Sequence, residues 1–140
     1  MNNEKNTAAN EAIAAEFYEQ VINNRDIDTI DKFLTDDFIH NGVSRGISGQ
    51  RAAVEMFLNA FSPLVNTIEI SFSSGELVCV HENWKGIHTG EFMGVAATGK
   101  NVEWSSTAIL KFSGGKICRA WDENDFLGLF QQIGKYPDIK

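Results

Sequence analysis

Cysteine is scarce in this chain: Cys79 and Cys118 are the only two, too few and too isolated for a disulfide framework or a CxxC motif. They fit a reducing compartment, each as a small buried apolar residue, and a cytoplasmic location is expected. Positive charge is in the minority as well. Twelve Lys and Arg stand against 19 Asp and Glu, a formal net charge of -7, so nothing pulls the molecule toward nucleic acid or anionic lipid. Long apolar runs are missing. The N-terminus, Met1 to Asn6, has no apolar signal core, and no later stretch approaches the ~18 apolar residues of a membrane span. Phosphate-cradling glycine loops, a GxSxG elbow and an HExxH pair are all absent, and the three histidines, His40, His81 and His88, form no compact ligand motif, so no metal is expected. Nucleic acid, membrane and metal drop out.

What is present is an ordinary globular composition for one domain over residues 1–140, 43% hydrophobic and 22% charged, with residues 1–7 expected as a flexible tail. Ten Phe and three Trp supply enough area to line both a core and a cavity. The first half has helical period. Ala9, Ile13, Phe17 and Val21 recur every four residues, with Thr7 placed to cap and Asn23-Asn24 to stop. Ile27, Ile30, Phe33 and Leu34 make a shorter helix, and Phe38 to His40 a short extended piece. Residues 50–61 give a third helix, stopped by Ser62-Pro63.

Beyond Pro63 the period changes to two, predicting strands at 68–72, 77–88, about 102–112 and 117–124, then a short helix over 126–133 closed by Gly134. His81 and His88 are seven apart on one strand, so alternation sends them to opposite faces. Three helices followed by hairpin-linked strands are α+β order, with an antiparallel sheet covered by helices on one side and therefore curved.

Two stretches stand out. Residues 86–100 interrupt a hairpin with four glycines and place His88, Phe92 and Met93 where a segment would fold over a pocket mouth; equally, the glycines serve an extended connection with unusual dihedrals. Trp121-Asp122-Glu123-Asn124-Asp125 gathers three carboxylates at the end of an apolar strand. If the Trp121 face is interior, alternation brings Asp125 with it, and desolvation would raise its pKa toward neutrality. In the alternative, Asp125 caps the final helix, and a bulge would exchange the faces.

These stretches, Gly86-x-His88-Thr89-Gly90-x-Phe92-x-Gly94, Thr98-Gly99-Lys100, Gly115-Lys116-Ile117, Trp121 with Asp125, and Leu129-x-x-Gln132-x-Gly134, follow Phe17-Tyr18 and Asp37-Phe38-His40-Asn41 upstream. In that order and spacing, from about residue 8 to 134, the chain resembles the SnoaL-like polyketide cyclases of the NTF2-like superfamily. The resemblance implies three N-terminal helices on a strongly curved sheet, a conical cavity, and a homodimer formed through the sheet. It implies an enzyme of cyclase, isomerase or lyase type with no cofactor, which closes a ring in a polyketide ester by intramolecular aldol condensation. Asp125 would then be the general acid and base. His40 and His88 would be donors to a carbonyl oxygen or its enolate, as a catalytic set with Asp125.

Trp84, Trp104, Phe92, Met93, Tyr18, Phe17 and Trp121 would form or back the walls around a small apolar or polyketide-like molecule. Hydrolysis by water held at Asp125 with His40 or Glu123 is the enzymatic alternative, and a non-catalytic binding domain the other. The chain departs from its relatives at His81, Lys111, Arg119 and Ala96-Ala97. Loss of an arginine from a pocket wall at His81 would remove a fixed cation and its bidentate geometry.

Overall fold

The computed structural model describes residues 3–135. Helix α1 (Asn3–Phe17) begins before Thr7, so part of the expected tail is helical and Thr7 lies inside the helix. Past Phe17 the chain continues as a wider turn, Tyr18–Asn23, in which the Asn24 N–H donates to the Glu19 carbonyl five residues back at 2.8 Å. Widening broadens the inward stripe, and Phe17, Tyr18, Val21 and Ile22 are all buried. The Asn23 side chain then clamps the backbone of Asn66, accepting from its N–H at 2.7 Å and donating to its carbonyl at 3.0 Å. Next come a 3-10 turn (Ile27–Lys32), β1 (Leu34–His40) and the two-residue β2 (Val43–Ser44).

Helix α2 (Gly46–Ala60) starts earlier than expected and buries Val54, Leu58 and Ala60. Its C-terminal carbonyls are met by Arg25, whose guanidinium donates to Leu58 and, at 3.0 Å, to Phe61, a cation at the negative end of the helix dipole. Strand β3 (Phe61–Ser74) follows without a break, carrying Ser62 and Pro63 inside it. Proline is tolerated there because β3 is an edge strand and need donate on one side only. Strands β4 (Leu77–His88), β5 (Asn101–Ser113) and β6 (Lys116–Asn124) and helix α3 (Phe126–Ile133) complete the chain.

The six strands form one curved sheet in the order β2-β1-β6-β5-β4-β3. All neighbours are antiparallel except β1 and β6, which run parallel, a pairing the local hairpin signals do not encode. The register is irregular at four places, once between β1 and β6, twice between β3 and β4 and once between β5 and β6. On β3 the register slips between Ile68 and Ile70. On β6, Ile117 pairs with Phe112 and Arg119 with Lys111, which leaves Cys118 as an extra residue. The concave side packs against α1 and α2. There Val78, Val80 and Glu82 of β4 and Val102, Trp104, Ser106, Ala108 and Leu110 of β5 alternate into the interior. No helix among the described residues is long and apolar enough to cross a membrane.

Candidate active site

Between the helices and the concave sheet lies a cavity of about 440 Å³, within the range of small-molecule sites. Most of its wall is apolar, from Phe17, Ile22, Phe38, Val54, Phe57 and Trp84 among others. Two polar groups interrupt that wall.

The first is on β1 and β6. His40 Nε2 lies 3.0 Å from Asp122 Oδ1, and Asn41 Nδ2 donates to the same oxygen at 2.9 Å. Asn41 is held in turn by the Asp122 N–H, which donates to Asn41 Oδ1 at 2.9 Å, so the carboxylate and its partner fix each other. Among the described residues, both side-chain contacts go to Oδ1 and none to Oδ2, on a residue that lines the cavity. Burial opposes ionisation of Asp122, but the hydrogen bond and charge of His40, with Asn41 and Arg45, outweigh it and hold the carboxyl below the ordinary aspartate range. The bond to Asp122 is made through Nε2–H, while Nδ1 is buried without a partner among the described residues.

The second group centres on Glu82, only 2% exposed. Glu82 pairs across the sheet with Ser106 of β5, and Trp84 with Trp104. Trp84 Nε1–H donates to Ser106 Oγ at 2.8 Å, and Ser106 donates its own proton to Glu82 Oε2 at 2.7 Å. Burial pushes the Glu82 carboxyl from 4.5 up to about 7, against the pull of Tyr18, Ser106 and Asn66 and with a further push from the Asp122 charge. The same burial, with Glu82 and Asp122 nearby, raises the Tyr18 hydroxyl well above its ordinary value, so it stays neutral. Asp122 sits two strands from Glu82, about 10 Å across the sheet at the usual strand spacing. One cavity thus carries two carboxyl groups whose surroundings drive their proton affinities apart.

Of the side chains singled out in the sequence, Phe17, Tyr18, His40, Trp84, Met93 and Glu123 line this cavity. Others do not. Asp125 is the N-cap of α3: the Gly128 N–H donates to its Oδ1 at 2.9 Å, and the side chain is exposed. The reason is the extra residue at Cys118, which rephases β6 so that Ala120, Asp122 and Asn124 face inward and Trp121 outward, under the Arg119 guanidinium at 4.7 Å. His88 is fully buried and does not line the cavity. Its Nδ1 accepts from the Thr98 N–H at 3.2 Å and lies 2.9 Å from Thr98 Oγ1, pinning the loop before β5 onto β4.

Phe92 has no exposed surface and packs against Phe57, Phe61, Phe126 and Phe130. Trp104 lies behind the wall, stacked on Trp84 at 5.7 Å and donating to Asn124 at 3.1 Å. His81 faces out, beside Thr107 at 2.7 Å, so its departure from the family pattern leaves the cavity wall untouched. Cys79 and Cys118 are free and half-buried, more open than expected.

Glu82, Ser106 and Asp122 were the omissions. A readable signal existed for Glu82, a lone acid in phase with Val78, Val80 and Trp84 on a period-two strand. Asp122 had none, because no turn residue marks the Cys118 bulge. Among the described residues, no three or more His, Cys, Asp or Glu side chains are grouped to hold a metal ion.

Comparison with known proteins agrees with the fold. The model of the SnoaL-like polyketide cyclase family matches residues 12–133. Aklanonic acid methyl ester cyclase DauD of Streptomyces sp. (strain C5) is 28% identical over 115 residues, covering 77% of this chain and 71% of its own length. Aklanonic acid methyl ester cyclase DnrD of Streptomyces peucetius is 31% identical over 97 residues, covering 69% of this chain and 67% of its own length. The crystal structure of AclR from Streptomyces galilaeus superposes with a TM-score of 0.85 at 27% identity, over 94% of this chain and 99% of that one. With the family model spanning all but the ends, the chain belongs to the SnoaL-like polyketide cyclases.

Proposed function

We propose that the protein closes a ring in a polyketide-type ester by intramolecular aldol condensation, with Asp122 as the general acid and base. One observation carries this reading: a carboxylate in a cavity wall, fixed through Oδ1 by His40 and Asn41, with Oδ2 free for a bound molecule. An Asp122 held below the ordinary aspartate range is ionised at neutral pH and is a weak base, so the proton it takes must come from an acidic carbon. Oδ2 takes the proton from a carbon flanked by two carbonyls, and the electron pair passes into the enolate. The enolate carbon bonds to a second carbonyl carbon of the same molecule, whose oxygen becomes an alkoxide. That alkoxide recovers the proton from Asp122, so the reaction needs no outside acid or oxidant. His40 keeps the carboxylate in place throughout, and the apolar walls hold the two reacting carbons close, which supplies much of the acceleration.

The test uses aklanonic acid methyl ester, the compound after which DauD and DnrD are named. Asp122→Asn should lower kcat by about 10²–10⁴-fold with the fold intact by circular dichroism. His40→Ala should lower it as well. Asp125→Asn should turn the ester over within about twofold of wild type. Wild-type rates from Asp122→Asn would remove the assignment.

We also propose a homodimer through the outer face of the sheet. The register places Phe72, Cys79, Ile109 and Trp121 side by side across four strands, with Phe72 61% and Ile109 41% exposed in the single chain. An apolar row of this kind, on the face that no helix covers, matches a second copy of itself.

A further inference from the structure

The reaction just described leaves one charge in the cavity wall without a role. Among the described residues that line the cavity, Arg45 is the only Arg or Lys. Its backbone is fixed at the start of α2: the Arg45 N–H donates to the Phe38 carbonyl of β1 at 3.1 Å, and its carbonyl accepts from the Gly49 N–H at 3.1 Å. A Cβ on Gly49 would stand 3.0 Å from the Arg45 Cβ, so glycine there leaves room for the arginine stem. Gln50, which also lines the cavity, accepts from Nη1 at 3.3 Å. Nε and Nη2 make no hydrogen bond or ion pair among the described residues. Arg45 is half-buried, and neither nitrogen is among the buried polar atoms that lack a partner, so both are open to a bound molecule. The charge of Arg45 is felt at Asp122, whose ion-pair partner is His40 instead. Carboxylate and guanidinium thus border one cavity, near enough to interact and not in contact.

We propose that Arg45 is the enolate-binding residue of this cavity: its Nε–Nη2 edge donates to both oxygens of a 1,3-dicarbonyl whose central carbon faces Asp122. The inference rests on the ring-closing reading of the site and adds what holds the product of its first step. Once the proton has passed to Asp122, the electron pair of the carbon is shared over two oxygens. That flat, two-pronged anion is the shape that one edge of a guanidinium meets with two parallel hydrogen bonds. The donors stand in place before the charge forms, so they stabilise the enolate more than the neutral ketone. Asp122 is a weak base, and a fixed cation at the enolate oxygens offsets that weakness by favouring the proton transfer. Arg45 donates throughout and gives up no proton, so the bonds made and broken at carbon are those already described.

The test reads binding first and turnover second. The probe is benzoyltrifluoroacetone, an acyclic 1,3-diketone that is largely its enolate at pH 8, followed by quenching of tryptophan fluorescence, with Trp84 in the cavity wall as reporter. Benzylideneacetone, a neutral monoketone of similar shape, is the control. Arg45→Gln should weaken enolate binding about tenfold or more, as expected for a lost charged hydrogen bond, and change control binding by less than about twofold. With the ester it should lower kcat about 10²-fold and leave KM little altered, the mark of a contact made as charge develops. No enolate binding by the wild type, equal enolate affinity in Arg45→Gln, or an equal loss for both probes would each overturn the proposal. So would 2-naphthoate binding that depends on Arg45 when diketone binding does not, which would make Arg45 a carboxylate site.

Should Arg45→Gln fail to fold, Arg45→Lys decides, since it keeps the charge and loses the two-pronged edge. Enolate binding should then fall about fivefold with the control unchanged, and a lysine that binds the enolate as well as arginine overturns the proposal. Asp122→Asn separates the two readings. If it turns the ester over at the wild-type rate while enolate binding still depends on Arg45, the base is lost and the enolate site stands. If it loses turnover and Arg45→Gln binds the enolate as the wild type does, the base stands and the enolate site falls.

Discussion

Asp122 and Asp125 lie within one short acidic run, but one faces a cavity and the other caps a helix. The cap has a measurable worth. Asp125→Ala removes the acceptor for the Gly128 N–H and should lower stability by about 1 kcal/mol in chemical denaturation. Glu82 has the opposite relation to stability. Its folded pKa, about 7, lies above its ordinary 4.5, so between those values the folded chain holds a proton that the unfolded chain has released. Stability from this group is therefore full below about pH 4.5 and declines as pH rises to 7, by on the order of 3 kcal/mol in total. Glu82→Gln, neutral at all pH, should melt near wild type at pH 5 and above it at pH 8. Equal melting shifts at the two pH values would show that Glu82 is not buried as an acid. Asp122 runs the other way: its carboxyl is held low, so the stability it lends is present above the unfolded pKa and fades as the solution is acidified through the folded one.

The elements explain which of these residues could be read from sequence. Period-two alternation in β5 identifies its inward residues correctly from Val102 to Phe112, and β4 is as regular from Val78 to Trp84, so Glu82 could have been read from it, because in both strands one face is buried. The same alternation fails on β6, where the single extra residue at Cys118 inverts the phase and delivers Asp122 instead of Asp125. Spacing also cannot show the parallel pairing of β1 with β6, and that pairing is what brings His40 to Asp122. The wide turn at Tyr18–Asn23 is similarly silent, though it sets Tyr18 and Ile22 in the cavity wall.

The glycine-rich stretch was legible as unusual, and its reason is close approach. A Cβ on Gly90 would collide with the Asn59 carbonyl at the end of α2, while the Thr89 and Gly90 N–H groups both donate to the Ala60 carbonyl at 3.0 Å. Gly90→Ala should therefore cost about 1–3 kcal/mol and loosen the 89–100 segment. Hydrogen exchange at the His88 amide, bonded to the Lys100 carbonyl at 2.9 Å, should accelerate with it. Unchanged protection there would mean that the segment is not tied to α2.

At the scale of the molecule, the two faces of the sheet have separate tasks. Inward residues surround the cavity, and outward residues of β3 to β6 present the row Phe72, Cys79, Ile109 and Trp121 to solvent in a lone chain. Ile70, 56% exposed, extends that row along β3, and Arg119 covers Trp121 from the other side. A stable pair of subunits needs roughly 800 Å² buried on each partner, which four strands of 9 to 14 residues can supply. The chain of 15.5 kDa should accordingly sediment at twice that mass. Phe72→Lys and Ile109→Lys each put a charge into the centre of the row, where the partner would have to desolvate it. Each should shift the protein toward monomer by analytical ultracentrifugation. Because neither residue touches the cavity wall, turnover of the ester should survive dissociation. Wild-type protein that remains monomeric at micromolar concentration would remove the dimer and leave the apolar row without an occupant. A lysine variant that dissociates and also loses turnover would show instead that the sheet needs its partner to hold the cavity open.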